Sequence, residues 1–148
     1  MSNGNDVPHT VTLEVRDACL CLHLQRAARA VARHFDRAFQ RLELTNGQFS
    51  LLMSFNRPAP PTMGSVAELL AMDRTTLTAA LKPLERRGLV KITVDTADKR
   101  NRRLSLTAAG RALLAKAVPI WRREHAAIDR FLGEAGPDRL RSDLRALS

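Results

Sequence analysis

Residues 62–107 read TMGSVAELLAMDRTTLTAALKPLERRGLVKITVDTADKRNRRLSLT, and the period of the apolar residues changes partway along. Thr62 opens a short helical pattern with Val66, Leu69 and Leu70 inward. Ala71 and Met72 make a turn, and Asp73 is a favoured N-cap for a second helix. Leu77, Leu81 and Leu84 share one face of that helix. It ends in Arg86-Arg87-Gly88-Leu89, where glycine suits a left-handed C′ position and leucine the apolar contact after it. Pro83 inside this helix removes one hydrogen bond, and nothing in the sequence accounts for it. From Val90 the period is two. Val90, Ile92 and Val94 form one half-buried strand, and Leu104 and Leu106 a second. The polar loop Asp95–Asn101 joins them, and Thr107 caps a long final helix.

Two short helices, a tight turn and a hairpin make a helix-turn-helix with a wing. A helix fits the major groove and can present side chains to base edges. With the leucines inward, the outer face shows Arg74, Thr75, Thr78, Ala79 and Lys82, with Thr76 in the first turn. The loop Asp98-Lys99-Arg100-Asn101-Arg102-Arg103 sets four cations against one carboxylate. Such a tip can follow phosphates or enter a narrow minor groove. Candidate DNA-binding residues are therefore Arg74, Thr75, Thr76, Thr78, Ala79, Lys82, Lys99, Arg100 and Arg102. A solvated hairpin would also carry such charge; its place after two short helices is what points to DNA.

Working outward, Leu20, Leu24, Ala27, Ala28, Val31, Phe35, Ala38, Phe39 and Leu42 step by three and four. Arg26, Arg29, Arg33, Arg37 and Arg41 lie opposite, so Leu13–Leu42 reads as one long amphipathic helix after a flexible tail over 1–12. Thr45-Asn46-Gly47-Gln48 is a capping box for a helix to Phe55. Asn56–Pro61, with three prolines, is a stiff linker. Beyond Thr107, Leu114, Val118, Trp121, His125, Ile128 and Leu132 form the apolar stripe of the long helix, which Pro119 should kink. Gly133–Gly136 breaks it, and Pro137 starts another helix edged by Leu140, Leu144 and Leu147. The expected organisation is a tail (1–12), a dimerisation helix (13–43), a winged helix-turn-helix (44–107) and C-terminal dimerisation helices (108–148). The fold class is mainly α with a small β-hairpin wing.

Composition narrows the function. Lys and Arg number 24 against 15 Asp and Glu, a net charge of +9 that favours an anionic partner. Nucleic acid leads, ahead of an anionic membrane surface or an acidic protein. Aromatic residues are 4% and tyrosine is absent, so the core must come mainly from Leu, Val, Ala, Met and five Phe. No apolar run is long enough to span a membrane, and the first ten residues lack the features of a signal peptide. A cytoplasmic protein is expected. No glycine-rich phosphate loop, nucleophile elbow or paired-carboxylate spacing occurs, so neither an enzyme nor a cofactor is expected. A winged-helix protein-interaction module that never touches DNA is the alternative of another class.

From about Cys19 onward the chain resembles the multiple antibiotic resistance regulator (MarR) family. The matching residues are Leu44–Phe49, Asp73–Thr78, Leu84–Val90 and, most specific, Asp98-Lys99-Arg100 through Leu104-Ser105-Leu106-Thr107-Ala108-Ala109-Gly110. The resemblance implies a homodimer built from the first and last helices on a pseudo-palindromic double-stranded operator. It also implies Arg100 as the minor-groove residue, Asp98 fixing the wing, and a regulator, usually a repressor, released by a small-molecule effector or by oxidation. Many members carry a basic residue where this chain has Ala79, which changes the base contacts on offer there. The amphipathic first and last helices support a dimer on their own, since their apolar stripes exceed what a small winged helix needs.

Two cysteines cannot make a disulfide framework. Cys21 precedes Arg29 by eight residues, a register similar to that of the reactive cysteine in the family's organic hydroperoxide sensors. Those sensors pair it with tyrosines, which this chain lacks. Cys21 is thus either a redox thiol or a small apolar residue beside Leu24 and Ala28, and Cys19 is more of a bystander. Cys19 and His23, one turn apart, offer two metal ligands but no neighbouring third, so no metal site is expected. His34 and His125 fall near apolar stripes and are candidates to line a ligand pocket.

Overall fold

The computed structural model describes residues 6–148, which divide into two compact units meeting at His34 and Phe35. Residues 1–5 of the expected tail lie outside the described residues.

In the N-terminal unit, α1 (His9–Ala18) is followed by α2 (Leu20–Ala38), which runs on into the second unit. The expected single helix over 13–42 is therefore interrupted. Cys19 turns to φ −70° and ψ 109°, yet its N–H still donates to the Val15 carbonyl and its carbonyl still accepts from the His23 N–H. Only one torsion leaves the helix, so the apolar period runs on and no glycine or proline marks the break. The helix also starts earlier, at His9, within what reads as tail. α1 buries no residue, and Val11, Val15, Leu20, Leu24 and Val31 are all exposed.

In the second unit, a 3₁₀ turn (Gln40–Leu42) follows α2, and Glu43 adopts φ 51°. The capping box of α3 (Asn46–Phe55) forms as expected, with the Gln48 N–H donating to Thr45 Oγ1 and the Thr45 N–H to Gln48 Oε1, each at 3.1 Å. Asp36 adds a third contact, accepting the Asn46 N–H at 2.7 Å. Next come α4 (Met63–Leu69) and α5 (Arg74–Arg86), with Ala71 left-handed at φ 51° in the turn between them. Leu77, Leu81 and Leu84 are fully buried, as the three-four spacing requires. Pro83 sits inside α5 without ending it.

Gly88 takes φ 68°, and the Leu89 N–H returns to the Leu84 carbonyl at 3.0 Å, the closing bond of a left-handed cap. β1 (Val90–Val94) pairs antiparallel with β2 (Arg102–Leu106), placing Val90 opposite Leu106 and Ile92 opposite Leu104. The prolines are more than a linker. The Leu104 N–H donates to the Pro61 carbonyl at 2.9 Å, and Thr62 bridges Arg103, so this segment lies along β2.

α6 (Ala108–Asp129) passes through Pro119 as one helix, and α7 (Gly136–Ala146) follows a 3₁₀ turn at Arg130–Leu132. Gly110 is where α6 meets the residue ahead of β1: a Cβ there would stand 2.1 Å from the Leu89 carbonyl oxygen. Few as the aromatics are, four of them close a ring with His125. Centroids run Phe35–Phe39 5.9 Å, Phe39–Phe49 5.0 Å, Phe49–Trp121 6.4 Å, Trp121–His125 4.8 Å and His125–Phe35 6.2 Å. That ring links the end of α2, from Phe35 on, to α3 and α6. At the C-terminus Leu140, Leu144 and Leu147 remain exposed. Among the described residues, the architecture is seven α-helices with one two-stranded hairpin: a winged helix-turn-helix, as the sequence implies.

Candidate nucleic-acid interface

α5 owes its placement to Asp73 at one end and three leucines along its inner face. The Asp73 carboxylate accepts the Thr76 N–H at 2.7 Å and the Thr76 hydroxyl at 2.8 Å. Those two bonds hold its pKa below the usual carboxylate range. Thr76 is thus engaged in the cap. Thr78 donates its hydroxyl to the Arg74 carbonyl at 2.7 Å, which leaves its methyl and oxygen lone pairs facing out. Arg74, Thr75, Thr78, Ala79 and Lys82 are all exposed on the outer face. The Arg74 guanidinium lies over Gly64 of α4, with Nη2 3.0 Å from where a Cβ would stand. A side chain at position 64 would displace it.

The hairpin carries the second group. Asp98 accepts the Arg100 N–H at 3.0 Å through Oδ1, and its carbonyl accepts the Asn101 N–H at 2.9 Å. These bonds shape the tip. The Arg100 side chain is 93% exposed and reaches Asp98 only at 3.4 Å, so its charge is available to a partner. Lys99 is exposed beside it. Arg102 folds back, Nη1 donating to the carbonyls of Lys99 (3.2 Å) and Asn101 (3.3 Å).

The anchor beneath the tip is not among the residues that the sequence singles out for DNA. Asp95 is buried; it accepts the Ala97 N–H at 3.1 Å and Arg103 Nη2 at 3.1 Å, while its own N–H donates to the Asn101 carbonyl. Arg103 Nη1 donates to the Pro60 carbonyl at 3.0 Å. One guanidinium therefore joins hairpin, loop and proline segment. Strand alternation marks Arg103 only as polar. The Asp95–Arg103 pair across the mouth of the hairpin is the one signal that pointed here, and Pro60 has none. The Ala97 N–H and Arg103 hold the Asp95 carboxyl below its ordinary range. A depressed folded pKa stabilises fully above the unfolded value of about 4 and is lost as pH falls through the lowered one. The anchor is therefore constant from neutral down to mildly acidic pH. Arg103→Met keeps the stem and removes both bonds. Amide exchange at Leu104 should quicken and operator affinity should fall several-fold; unchanged exchange would show that the anchor does not restrain the wing.

The other singled-out residues lie elsewhere. Cys19 is half-buried at the break between α1 and α2, and Cys21 is exposed with Gln25 Nε2 3.3 Å from its sulfur. His23 Nδ1 bonds the Cys19 carbonyl at 2.8 Å. His34 is half-buried in the N-terminal unit, and His125 stands in the aromatic ring with Nδ1 3.4 Å from Asp129.

Known proteins share this arrangement. The MarR family model matches residues 44–101. The organic hydroperoxide resistance transcriptional regulator of Bacillus subtilis (strain 168) is 31% identical over 101 residues, covering 68% of this chain and 69% of that protein. The M. tuberculosis transcriptional regulator MosR, solved in complex with DNA, is 39% identical over 87% of this chain and 92% of that one, with TM-score 0.79. The transcriptional repressor CouR bound to a 23-mer DNA duplex is 31% identical over 90% and 92%, with TM-score 0.72. CouR bound to p-coumaroyl-CoA superposes with TM-score 0.80 at 29% identity, over 90% and 94%.

Proposed function

Because this chain belongs to the MarR family of DNA-binding transcription regulators, we propose that it acts as a homodimeric repressor of a pseudo-palindromic operator, released by a small molecule. The observation that carries this reading is the pairing of an exposed polar face on α5 with a firmly anchored wing tipped by Arg100. Arg74, Lys82, Lys99 and Arg100 hold exposed cations on these two groups, which suits a phosphate-flanked groove. Residues 44–107 form the reading head. Residues 13–43 and 108–148 supply the dimer contacts, supported by Leu20, Leu24 and Val31 in one segment and Leu140, Leu144 and Leu147 in the other, all left exposed in a single copy. A two-fold pair would place two reading heads on half-sites about one helical turn or a multiple apart. Among the described residues, no helix is long and apolar enough to cross a membrane. The MosR and CouR complexes with DNA favour a DNA partner, and the CouR complex with p-coumaroyl-CoA favours a small-molecule effector.

The test is fluorescence anisotropy on DNA from upstream of the gene, across a salt series. Six or more phosphate contacts should lower affinity about a thousandfold or more between 50 and 200 mM salt. A flat slope, or equal affinity for unrelated DNA, would favour the protein-interaction module instead.

Oxidation release is the second reading, favoured by the exposed Cys21 thiol and by the hydroperoxide regulator among the relatives. A peroxide would convert the thiolate to a sulfenic acid and leave as its alcohol or as water. Repeating the titration after peroxide treatment, with Cys21→Ser beside the parent, separates the two. Release that Cys21→Ser abolishes assigns the switch to that thiol, and binding indifferent to peroxide leaves the small molecule.

A further inference from the structure

The trailing end of α5 is tied to a distant part of the chain. Arg87 is its C-cap residue, and the guanidinium reaches back 44 residues to the corner between α2 and α3. Nη1 donates to the Glu43 carbonyl at 2.6 Å, and Nη2 lies 3.4 Å from the Leu42 carbonyl. Those carbonyls close the 3₁₀ turn after α2, where a helical turn has run out of its own donors. Among the described residues, no backbone N–H donates to either of them. Glu43 is left-handed at φ 51° and ψ 41°, a conformation that a residue with a Cβ keeps only where its surroundings hold it. Asp36 of α2 accepts the Asn46 N–H at 2.7 Å and fixes the same corner to the start of α3. Along the rest of α5 the hold is of another kind. Leu77, Leu81 and Leu84 bury the inner face, and apolar contact has no preferred direction. The side-chain bonds of Asp73, Thr76 and Thr78 stay within α5 and its cap. Just past α5, Thr107 Oγ1 donates to the Gly88 carbonyl at 2.6 Å. Among the described residues, Arg87 alone carries a side-chain hydrogen bond from α5 or its caps to another element.

We propose that Arg87 is a positioning residue for DNA recognition: its guanidinium latches the end of the reading helix to the α2–α3 corner and so sets the tilt at which α5 meets the groove. The proposal rests on the reading of α5 as the helix that presents side chains to base edges. Packed leucines hold α5 against the core but permit small tilts, whereas hydrogen bonds to base edges have narrow limits of distance and angle. A bond from an ionised donor at the far end of the helix removes that freedom. Arginine suits the task because its planar fork can meet two successive carbonyls, where an ammonium is a single point. Arg87 is exposed, so its removal would free the helix end without opening a cavity. Phosphate contacts would tolerate the resulting tilt, since long cationic side chains can follow a backbone that offers phosphates at every step. Base contacts would not. Arg87 therefore acts on specificity rather than on general attraction to DNA. Its neighbour Arg86 is also exposed and has no hydrogen-bond or ion-pair partner among the described residues, so it carries the same charge without the latch.

Fluorescence anisotropy on DNA from upstream of the gene and on unrelated DNA of equal length tests this, with Arg87→Met, Arg87→Lys and Arg86→Met beside the parent. All are read well below their melting temperatures, so that loss of fold does not enter. Arg87→Met should lose about tenfold on the upstream DNA and no more than about threefold on unrelated DNA, so the ratio of the two affinities falls. Arg87→Lys should recover part of that ratio. Arg86→Met should lower both affinities alike and keep the parent's ratio. Equal losses on both DNAs for Arg87→Met, with a shallower salt slope, would make Arg87 a phosphate contact and overturn the latch. Parent-like binding by Arg87→Met would overturn it too, showing that the corner holds α5 without this side chain. A ratio lowered as far by Arg86→Met would assign the effect to charge at the helix end instead. A parent that binds both DNAs alike would fail before any variant is compared; it would overturn the base-reading role of α5 and the latch with it.

Discussion

Replacing Arg100 with alanine is expected to weaken operator binding about ten- to a hundredfold at fixed salt, with melting temperature and oligomeric state unchanged. The asymmetry follows from its surroundings. In the free protein the side chain is 93% exposed, and its one ion-pair distance, to Asp98, is 3.4 Å. An exposed pair of that length contributes little to stability. In a complex the same guanidinium would lie in a groove of concentrated negative potential. The proposed dimer would lose two such contacts, so the slope of log affinity against log salt should then shrink by about two. Arg100→Lys should recover the salt slope but not all of the affinity, because an ammonium lacks the flat fork that fits a narrow groove. Parent-like affinity for Arg100→Ala would remove the wing tip from the interface and leave α5 to carry recognition alone.

Gly110→Ala should be the most damaging small change in the chain, destabilising it by about 3 kcal/mol and lowering the melting temperature by roughly 6–12 °C. In an ordinary helix this substitution stabilises, since alanine is the better helix former by about 1 kcal/mol. Here the added carbon would sit 2.1 Å from the Leu89 carbonyl oxygen and 3.0 Å from its carbonyl carbon. Backbone cannot swing aside as a flexible side chain would. The same carbonyl accepts the Thr107 N–H at 3.1 Å, while Thr107 Oγ1 donates to the Gly88 carbonyl and accepts the Gly110 N–H. Moving it would disturb the cap of α6 and the start of β1 together. Gly88→Ala is the control: φ is 68° there, but nothing lies within 4 Å, so only the left-handed strain of about 1–2 kcal/mol applies. A melting temperature raised by Gly110→Ala would show that α6 and the Leu89 backbone do not meet this closely.

Much of the reading head was legible because its signals are local. A three-four leucine spacing, an Asp cap and a glycine after two arginines each act within one turn of helix, and the structure has all three. Thr76 illustrates the limit. Its place in the first turn of α5 was readable, but its hydroxyl's bond to Asp73 depends on a rotamer. Contacts distant in sequence left no trace. Arg103 reaching Pro60 and the aromatic ring closing through His125 need a chain already folded. The break at Cys19 was hidden for the opposite reason, since a single turned torsion leaves the apolar pattern on either side intact.

The proline segment beside β2 bears on solubility as well as position. A two-stranded ribbon exposes unpaired amides along both margins and invites strands from other molecules. Here one margin is occupied by Pro60, Pro61 and Thr62, which take up Arg103 and the Leu104 N–H. The prolines offer carbonyls but have no N–H, so a strand arriving from outside finds no donor at either position. On the β2 margin, at least two positions of the wing thus give an incoming strand nothing to pair with, which limits edge-to-edge growth there.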